Sequence, residues 1–287
     1  MGMTRHRQKP RASGWFSPAG LAVLLLFSAF GGAARAERSE AERAQRWSDL
    51  RHAIFGDRDV VDAGGLVSIE APDRAEDAAI VPVAITVADP LAAQVREIYL
   101  VIDDNPSPLA AHFLFGPIAD PREIETRVRI DDYTYLHAIA ETADGRLFAT
   151  ARFIKAAGGC SAPAGKDQAL ALERLGKMKL TFHDRSMQDA RIGAKLLISH
   201  PNNSGLQMDP LTRNYIPADF IRTLEVTYND QSVFRLESDI SISEDPGFGF
   251  FIRSSGLPRP GELKAEVLDS SQRRFTQSWP VPATPQM

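Results

Sequence analysis

The stretch YLHAIAETADGRLFATARFIK, Tyr135–Lys155, decides the fold class. Its two ends, 135–141 and 147–155, contain the β-branched and aromatic residues typical of strands. Between them, TADG places Asp144 and Gly145 at the centre of a short connection. An Asp-Gly pair favours a tight hairpin turn, because both residues accept left-handed backbone conformations. The stretch therefore predicts two antiparallel strands joined by a turn.

Similar segments extend from this hairpin in both directions. The candidate strands before it are 66–71, 79–87, 95–103, 111–115 and 123–130, and those after it are 178–182, 191–199, 221–230, 232–237, 248–252, 262–270 and 274–279. Many short strands separated by Pro, Asp, Asn and Gly are typical of β-sandwiches. Because we find no repeat period between the two groups, the sequence predicts an all-β protein with two different β-sandwich domains.

Two segments have helical character. In Glu40–Phe55, the apolar residues Trp47, Leu50 and Ile54 have the spacing of an amphipathic helix that packs on a sheet. A second, short helix is predicted within 166–176. The predicted divisions are a signal peptide at 1–36, a first sandwich at 37–155, an arm and linker at 156–176, and a second sandwich at 177–287.

The N-terminal segment predicts a cleavable secretory signal. A basic stretch, 5–11, precedes the apolar run 21–30, and ARA at 34–36 fits a cleavage site. The ten-residue run is half as long as the roughly 20 apolar residues that span a bilayer, and the good cleavage site disfavours the alternative of an uncleaved anchor. We expect a periplasmic protein whose mature chain begins at Glu37 and does not associate with the membrane.

The charge balance restricts the class of partner. Residues 1–36 contain five of the 33 basic residues and no acidic ones, so the mature chain has 28 basic and 37 acidic residues, a net charge of −9. An acidic surface repels phosphate backbones and anionic lipids. We therefore expect no nucleic-acid partner.

The chain has a single cysteine, Cys160, in the ribbon KAAGGCSAPAGK at 155–166. One cysteine cannot form an internal disulfide, and an exposed thiol in an oxidising compartment is subject to oxidation unless it is used or buried. The neighbours Gly158, Gly159 and Ser161 are small and offer little apolar area for packing. We therefore expect a flexible interdomain arm that keeps the thiol exposed.

Cationic side chains near the ribbon bear on the reactivity of this thiol. Arg152, Lys155 and Lys166 would slightly raise the thiolate fraction of Cys160 and would attract an anionic adduct. The alternative interpretation is an ordinary interdomain linker whose cysteine has no role.

Two parts of the sequence resemble a known pair of families. GGC at 158–160, after the last strand of a sandwich, resembles the terminal GGCGG arm of SoxY. LLISHPNNSG at 196–205 and NYIPADFIRTLEVTYND at 214–230 resemble SoxZ. SoxY and SoxZ form the heterodimeric carrier of the periplasmic thiosulfate-oxidation system. The order here matches fused SoxYZ-like carriers associated with quinoprotein dehydrogenases.

The resemblance implies a carrier and not an enzyme. Its halves would be immunoglobulin-like sandwiches that pack on each other, and Cys160 would hold a thiosulfonate or persulfide through an S–S bond. Implied partners are haem-bearing and hydrolytic sulfur-oxidation enzymes, or a quinoprotein dehydrogenase, with no cofactor in the carrier itself. Two features depart from the family pattern: the chain continues after Cys160, and HPNNSG replaces HPMETG.

The other candidate residues indicate no second site. The six histidines (His6, His52, His112, His137, His183 and His200) lack metal-ligand spacing, so we expect no metal site. His112 and His137 are candidates to meet across strands. The pairs Asp103-Asp104 and Asp131-Asp132 are predicted turn residues at strand ends, and EDPGFGF at 244–250 is predicted to be a turn that leads into a core strand.

Two other functions remain open at this point. The first is a thiol peroxidase or disulfide exchanger that uses Cys160, although the chain has no resolving cysteine. The second is a non-covalent accessory module of a quinoprotein dehydrogenase system, in which the thiol is incidental.

Overall fold

The computed structural model describes residues 38–163, 168–183, 191–253, 255, 257 and 260–281. The predicted signal segment and Lys166 lie outside these ranges. The helices are α1 (Glu40–Phe55) and α2 (Gln168–Arg174). The strands are β1 (Val60–Asp62), β2 (Val67–Glu70), β3 (Val81–Val87), β4 (Val95–Ile102), β5 (Leu109–Phe115), β6 (Ala119–Val128), β7 (Thr134–Thr142), β8 (Leu147–Ile154), β9 (Met178–His183), β10 (Arg191–Ile198), β11 (Ile221–Tyr228), β12 (Gln231–Ser238), β13 (Gly247–Arg253), β14 (Gly261–Asp269) and β15 (Arg274–Val281).

The strands form two sheets, and each sheet contains strands from both halves of the chain. One sheet has the order β1-β8-β7-β4-β5-β12-β11-β14-β15, and the other has the order β2-β3-β6-β13-β10-β9. The prediction of an all-β protein is confirmed. The halves meet edge to edge, through the antiparallel pairs β5–β12 and β6–β13. Such pairing satisfies the backbone groups that four free strand edges would otherwise leave exposed.

One hydrophobic core runs between the two sheets and across both halves. Phe113 of β5 lies near Phe234 of β12 and Phe248 of β13, with ring-centroid distances of 6.2 and 6.4 Å. All three rings are fully buried. The two halves therefore stabilise each other through shared core side chains as well as through shared sheets.

Helix α1 covers the outer face of the nine-stranded sheet, as its apolar spacing predicts. Leu50 is buried against that face together with Val101 and Ile139, and Trp47 packs on the same cluster. At its N-terminus, Ser39 forms a capping box. Within the described ranges, neither helix combines the length and the apolar composition that a membrane span requires.

The hairpin predicted for 135–155 is present, with Gly145 in the left-handed region at φ +82°. The three-residue strand β1, which runs parallel to β8, was not predicted from the sequence. The expectation that His112 and His137 meet across strands is wrong. They lie on β5 and β7, and β4 separates these two strands.

Candidate functional site

The segment 156–163, the described part of the arm, turns back onto the protein after β8. The backbone N–H of Gly158 donates to the carbonyl of Asp131 at 2.8 Å, and that of Gly159 donates to the carbonyl of Ile130 at 2.9 Å. Both acceptors lie in the connection between β6 and β7. The arm is therefore docked along this connection.

The two glycines have specific roles in this docking. Gly158 has φ +80°, a conformation that L side chains rarely adopt. At Gly159, a Cβ atom would lie 2.0 Å from the carbonyl oxygen of Ala78, so no side chain fits. The expectation that small residues keep the arm flexible and exposed is wrong for this segment. Here the small residues allow a close approach of two backbones.

A loop of the second half holds the arm at its cysteine and two residues after it. We call residues 200–207 the holding loop. The hydroxyl of Ser204 donates to the carbonyl of Cys160, and Nε2 of Gln207 donates to the carbonyl of Ala162 at 3.0 Å. The backbone N–H of Ser204 donates to Oε1 of Gln207 at 3.1 Å, which orients the Gln207 side chain. The other arm residue named from the sequence, Ser161, is exposed and donates to the carbonyl of Gly158.

Cys160 itself is fully buried, with 0% of its surface exposed. The prediction of an exposed thiol is therefore wrong in this state of the arm. Burial, aided by the negative charge of Asp131, raises the pKa of the thiol to about 12, and the positive charge of Arg129 acts in the opposite direction. The docked thiol is protonated at neutral pH. Since the thiolate is the nucleophile, the thiol is unreactive while it stays docked.

The cation that interacts with the thiol is not one of those named from the sequence. Arg152 donates to Asp73 at 2.9 Å. Arg129, just after β6, is 1% exposed, and its Nη2 donates to the carbonyl of Asn202 at 2.9 Å. Burial lowers the pKa of Arg129, while the nearby Cys160 and acidic groups oppose this shift. The only sequence signal for the burial of Arg129 is its position between the apolar residues Val128 and Ile130.

A cavity of about 260 Å³ opens beside the arm. Its lining includes Arg127 and Arg129 from the first half, Ala162 and Pro163 from the arm, and Glu244 from the second half. The EDPGFGF segment thus contributes to this cavity through its first residues, while its later residues form the buried strand β13, as predicted. The site therefore contains a thiol, a buried cation and an adjacent space.

The histidines of the first half have ordinary partners within the sheet. His112 lies 2.6 Å from a carboxylate oxygen of Glu97 and stacks on Tyr99. His137 lies 3.1 Å from a carboxylate oxygen of Asp103 and stacks on Trp47, which places it under α1. Neither residue adjoins the arm through a described contact.

His200, Asp219 and Asp269 form a group with ligand atoms within 4.8 Å of one another, which the histidine spacing did not predict. Nδ1 of His200 accepts from the N–H of Asn202, so Nε2 carries the proton and faces Asp269 at 3.5 Å. Arg273 donates to both carboxylates at 2.6 Å, and so already supplies the positive charge at this group. Burial lowers the pKa of His200, which favours its neutral form. The group anchors the start of the holding loop to β14 and β15.

Comparison with known proteins places these features in a family. The model of the SoxY family, sulfur oxidation protein SoxY, matches residues 51–160, and that of the SoxZ family, sulphur oxidation protein SoxZ, matches residues 178–280. The chain is a fusion of a SoxY-family half and a SoxZ-family half. The SoxY match ends at Cys160 itself. The holding loop belongs to the SoxZ-like half.

Two solved structures are also similar to parts of the chain. The sulfur carrier protein SoxY from Chlorobium limicola f thiosulfatophilum is 28% identical, with 40% of this chain and 96% of that chain covered and a TM-score of 0.35. The superoxide reductase (neelaredoxin) from Ignicoccus hospitalis is 15% identical, with coverage of 42% and 98% and a TM-score of 0.28. No curated protein matches the chain. Membership of the two families supports a carrier role in sulfur oxidation.

Proposed function

We propose that this chain is a periplasmic sulfur carrier that binds a sulfur intermediate covalently through Cys160. The observation that carries the proposal is the position of Cys160, which is the final residue of the SoxY match and is held by Ser204 of the SoxZ-like half. Each half thus contributes to one site, as expected for a fused pair.

Loading is an oxidative step. With thiosulfate, Cys160–SH and S₂O₃²⁻ give Cys160–S–S–SO₃⁻, one proton and two electrons, and a haem-bearing partner accepts the electrons. Hydrolysis of the end group by a second partner adds one water, releases HSO₄⁻ and leaves the persulfide Cys160–S–SH. Attack by a thiolate on the S–S bond then frees the thiol. A quinoprotein dehydrogenase system is the alternative source of partners.

The buried thiol must leave its docked position before it reacts. Four hydrogen bonds hold the arm next to Cys160: two backbone bonds from Gly158 and Gly159, and two side-chain bonds from Ser204 and Gln207. At about 1 kcal/mol net each, opening costs a few kcal/mol, whereas unfolding a domain costs about 5–15 kcal/mol. The arm can therefore open while the two sheets stay folded.

An intact mass of protein from its native periplasm tests the proposal. We expect wild-type protein to show sulfur-sized adducts, and Cys160→Ser to be folded and unmodified. The double variant Cys160→Ser/Ser161→Cys serves as a control, since it keeps one thiol in the arm but moves it by one residue. Sulfur oxidation that persists in the Cys160→Ser strain contradicts the carrier function.

The location rests on residues 1–36, which lie outside the described ranges. We expect the exported protein to appear in the osmotic-shock fraction with Glu37 as its first residue, because ARA at 34–36 fits a cleavage site. N-terminal sequencing of that fraction checks this result. A cytoplasmic protein that begins at Met1 contradicts the periplasmic assignment.

A further inference from the structure

We propose that Arg129 holds the anionic end group of a loaded Cys160, in the cavity beside Ala162 and Pro163. The inference rests on the proposed function, because it assumes that Cys160 receives a sulfur group. It goes further by naming the residue that binds the group and the charge that this residue selects. An adduct that ends in a sulfonate would dock with the closed arm, whereas an uncharged adduct would gain no such partner.

Arg129 is a cation buried beside the arm. Among the described residues, Arg129 forms no ion pair within 4 Å, its Nε has no hydrogen-bond partner, and its Nη2 donates only to the carbonyls of Pro201 and Asn202. The residue is nevertheless 99% buried. A buried guanidinium without a direct ion-pair partner is costly, typically by several kcal/mol. The site is therefore arranged to receive an anion.

Arg129 adjoins the cavity and also acts on the thiol. Its charge interacts with Cys160, and it lines the same cavity as Ala162 and Pro163, which lie two and three residues after Cys160 in the arm. The cavity volume is about 260 Å³. A sulfonate has four heavy atoms and needs on the order of 120 Å³, at roughly 30 Å³ per water-sized atom. The group fits without displacement of the sheets.

The acidic residues of the cavity restrict where an anion can bind. Asp77 and Glu244 also line it, and both interact with Arg129 from beyond ion-pair distance. A second lining cation, Arg127, donates to the carbonyl of Asp245. An anion therefore gains most at the guanidinium of Arg129 and is repelled by the carboxylates elsewhere. This arrangement favours a single negative group in one position.

Chemical loading tests the inference without any partner enzyme. Tetrathionate converts the thiol as follows: Cys160–SH and S₄O₆²⁻ give Cys160–S–S–SO₃⁻, S₂O₃²⁻ and H⁺. Methyl methanethiosulfonate gives the uncharged Cys160–S–S–CH₃ and methanesulfinate, with loss of the thiol proton. Each loaded protein is treated with excess glutathione, and the rate of adduct release is followed by intact mass. Release requires an open arm, so a slow rate reports docking.

We expect Arg129→Met to accelerate release of the sulfonate adduct by about ten- to a hundredfold, the loss typical of a hydrogen bond to a charged group. Release of the methyl adduct should change by less than about threefold. Arg152→Met is the matched control, because Arg152 is paired with Asp73 and should affect neither adduct. A loosened arm would accelerate the release of both adducts, whereas the loss of an anion contact would accelerate the release of the sulfonate adduct alone.

Two outcomes overturn the inference. Equal acceleration of both adducts would mean that Arg129 only supports the carbonyls of Pro201 and Asn202. Unchanged release of the sulfonate adduct in Arg129→Met would mean that the guanidinium does not contact it. Either result leaves the proposed function intact, since that function is judged by adducts on protein isolated from cells. Absence of cellular adducts, in turn, does not affect the outcome of the chemical loading.

Discussion

At the scale of single residues, the second glycine of the GGC motif controls access to the thiol. Gly159→Ala places a Cβ atom 2.0 Å from the carbonyl oxygen of Ala78, a backbone atom that cannot move aside. We expect the arm to be permanently undocked, so that Cys160 reacts with iodoacetamide at the rate of an unstructured cysteine. The rate is measured by intact mass, with a circular dichroism spectrum to confirm the fold.

Ala157→Ser is the control for this variant, because Ala157 is exposed in the same arm. It should react as slowly as the wild type. A Gly159→Ala protein that reacts no faster than the wild type would contradict the docking geometry.

The pH dependence of the same reaction follows from the pKa of Cys160. Docking raises this pKa from 9.0 to about 12, so the docked state is fully favoured below pH 9 and is lost as pH rises from 9 toward 12. Below pH 9, alkylation of wild type and Gly159→Ala should rise in parallel, about tenfold per pH unit. Above pH 9, Gly159→Ala should reach a plateau while the wild type continues to rise. A wild-type plateau at the same pH contradicts the shift.

At the scale of elements, the holding loop determines how often the arm opens. Ser204→Ala removes the hydroxyl that donates to the carbonyl of Cys160 and leaves that carbonyl buried without this partner. A loss of about 1–2 kcal/mol corresponds to a roughly five- to thirtyfold faster alkylation of Cys160. The ratio of the alkylation rates of Ser204→Ala and the wild type is measured at pH 7.5.

Ser68→Ala is the matched control, since it removes a hydroxyl that bonds Thr86 on strands β2 and β3, away from the arm. It should leave the alkylation rate unchanged. If both serine variants accelerate the reaction equally, the holding loop has no specific part in docking.

Elements that depend on local pattern could be predicted from the sequence. The helix Glu40–Phe55 and the hairpin around Gly145 follow from apolar spacing and turn chemistry, which are properties of adjacent residues. The strand β1 has only three residues, too few to show an alternation of apolar and polar residues. It pairs with the edge of β8, which lies far away in the sequence. The position of His112 relative to His137 depends on strand order, which no local pattern specifies.

The docked arm could not be predicted for a related reason. Its own residues offer little apolar surface, so the ribbon alone indicates an exposed thiol. The residues that interact with Cys160 in the docked arm include Arg129, Asp131 and Ser204, which lie 29 to 44 positions away in the chain. Ser204 lies within LLISHPNNSG, the motif that carried the family resemblance, and that is the one place where the sequence pointed to the loop.

At the scale of the whole molecule, shared sheets make the two halves one cooperative unit. Phe113→Ala removes a fully buried ring that lies near Phe234 and Phe248 of the other half, and should lower the free energy of unfolding by about 3–5 kcal/mol. In a chain that begins at Glu37, which omits Trp15, the tryptophans Trp47 and Trp279 lie in different halves, so Trp47→Phe and Trp279→Phe backgrounds report each half separately. We expect urea unfolding followed by tryptophan fluorescence to shift equally in both backgrounds.

Leu211→Ala is the control, since Leu211 is 91% exposed and should not affect stability. A shift of the urea midpoint in only one tryptophan background would show that the halves unfold independently, against the shared core.

The edge-to-edge joining of the halves also determines how the carrier meets other proteins. Because Cys160 and Ser204 belong to one polypeptide, dilution does not separate the arm from the holding loop. The holding loop competes with partner proteins for the arm, with an effective concentration on the order of millimolar for a short tether. An enzyme present at micromolar levels must therefore bind the arm far more tightly than the holding loop does. Proteins that bind the arm weakly cannot displace it from the holding loop, because the holding loop has the higher effective concentration.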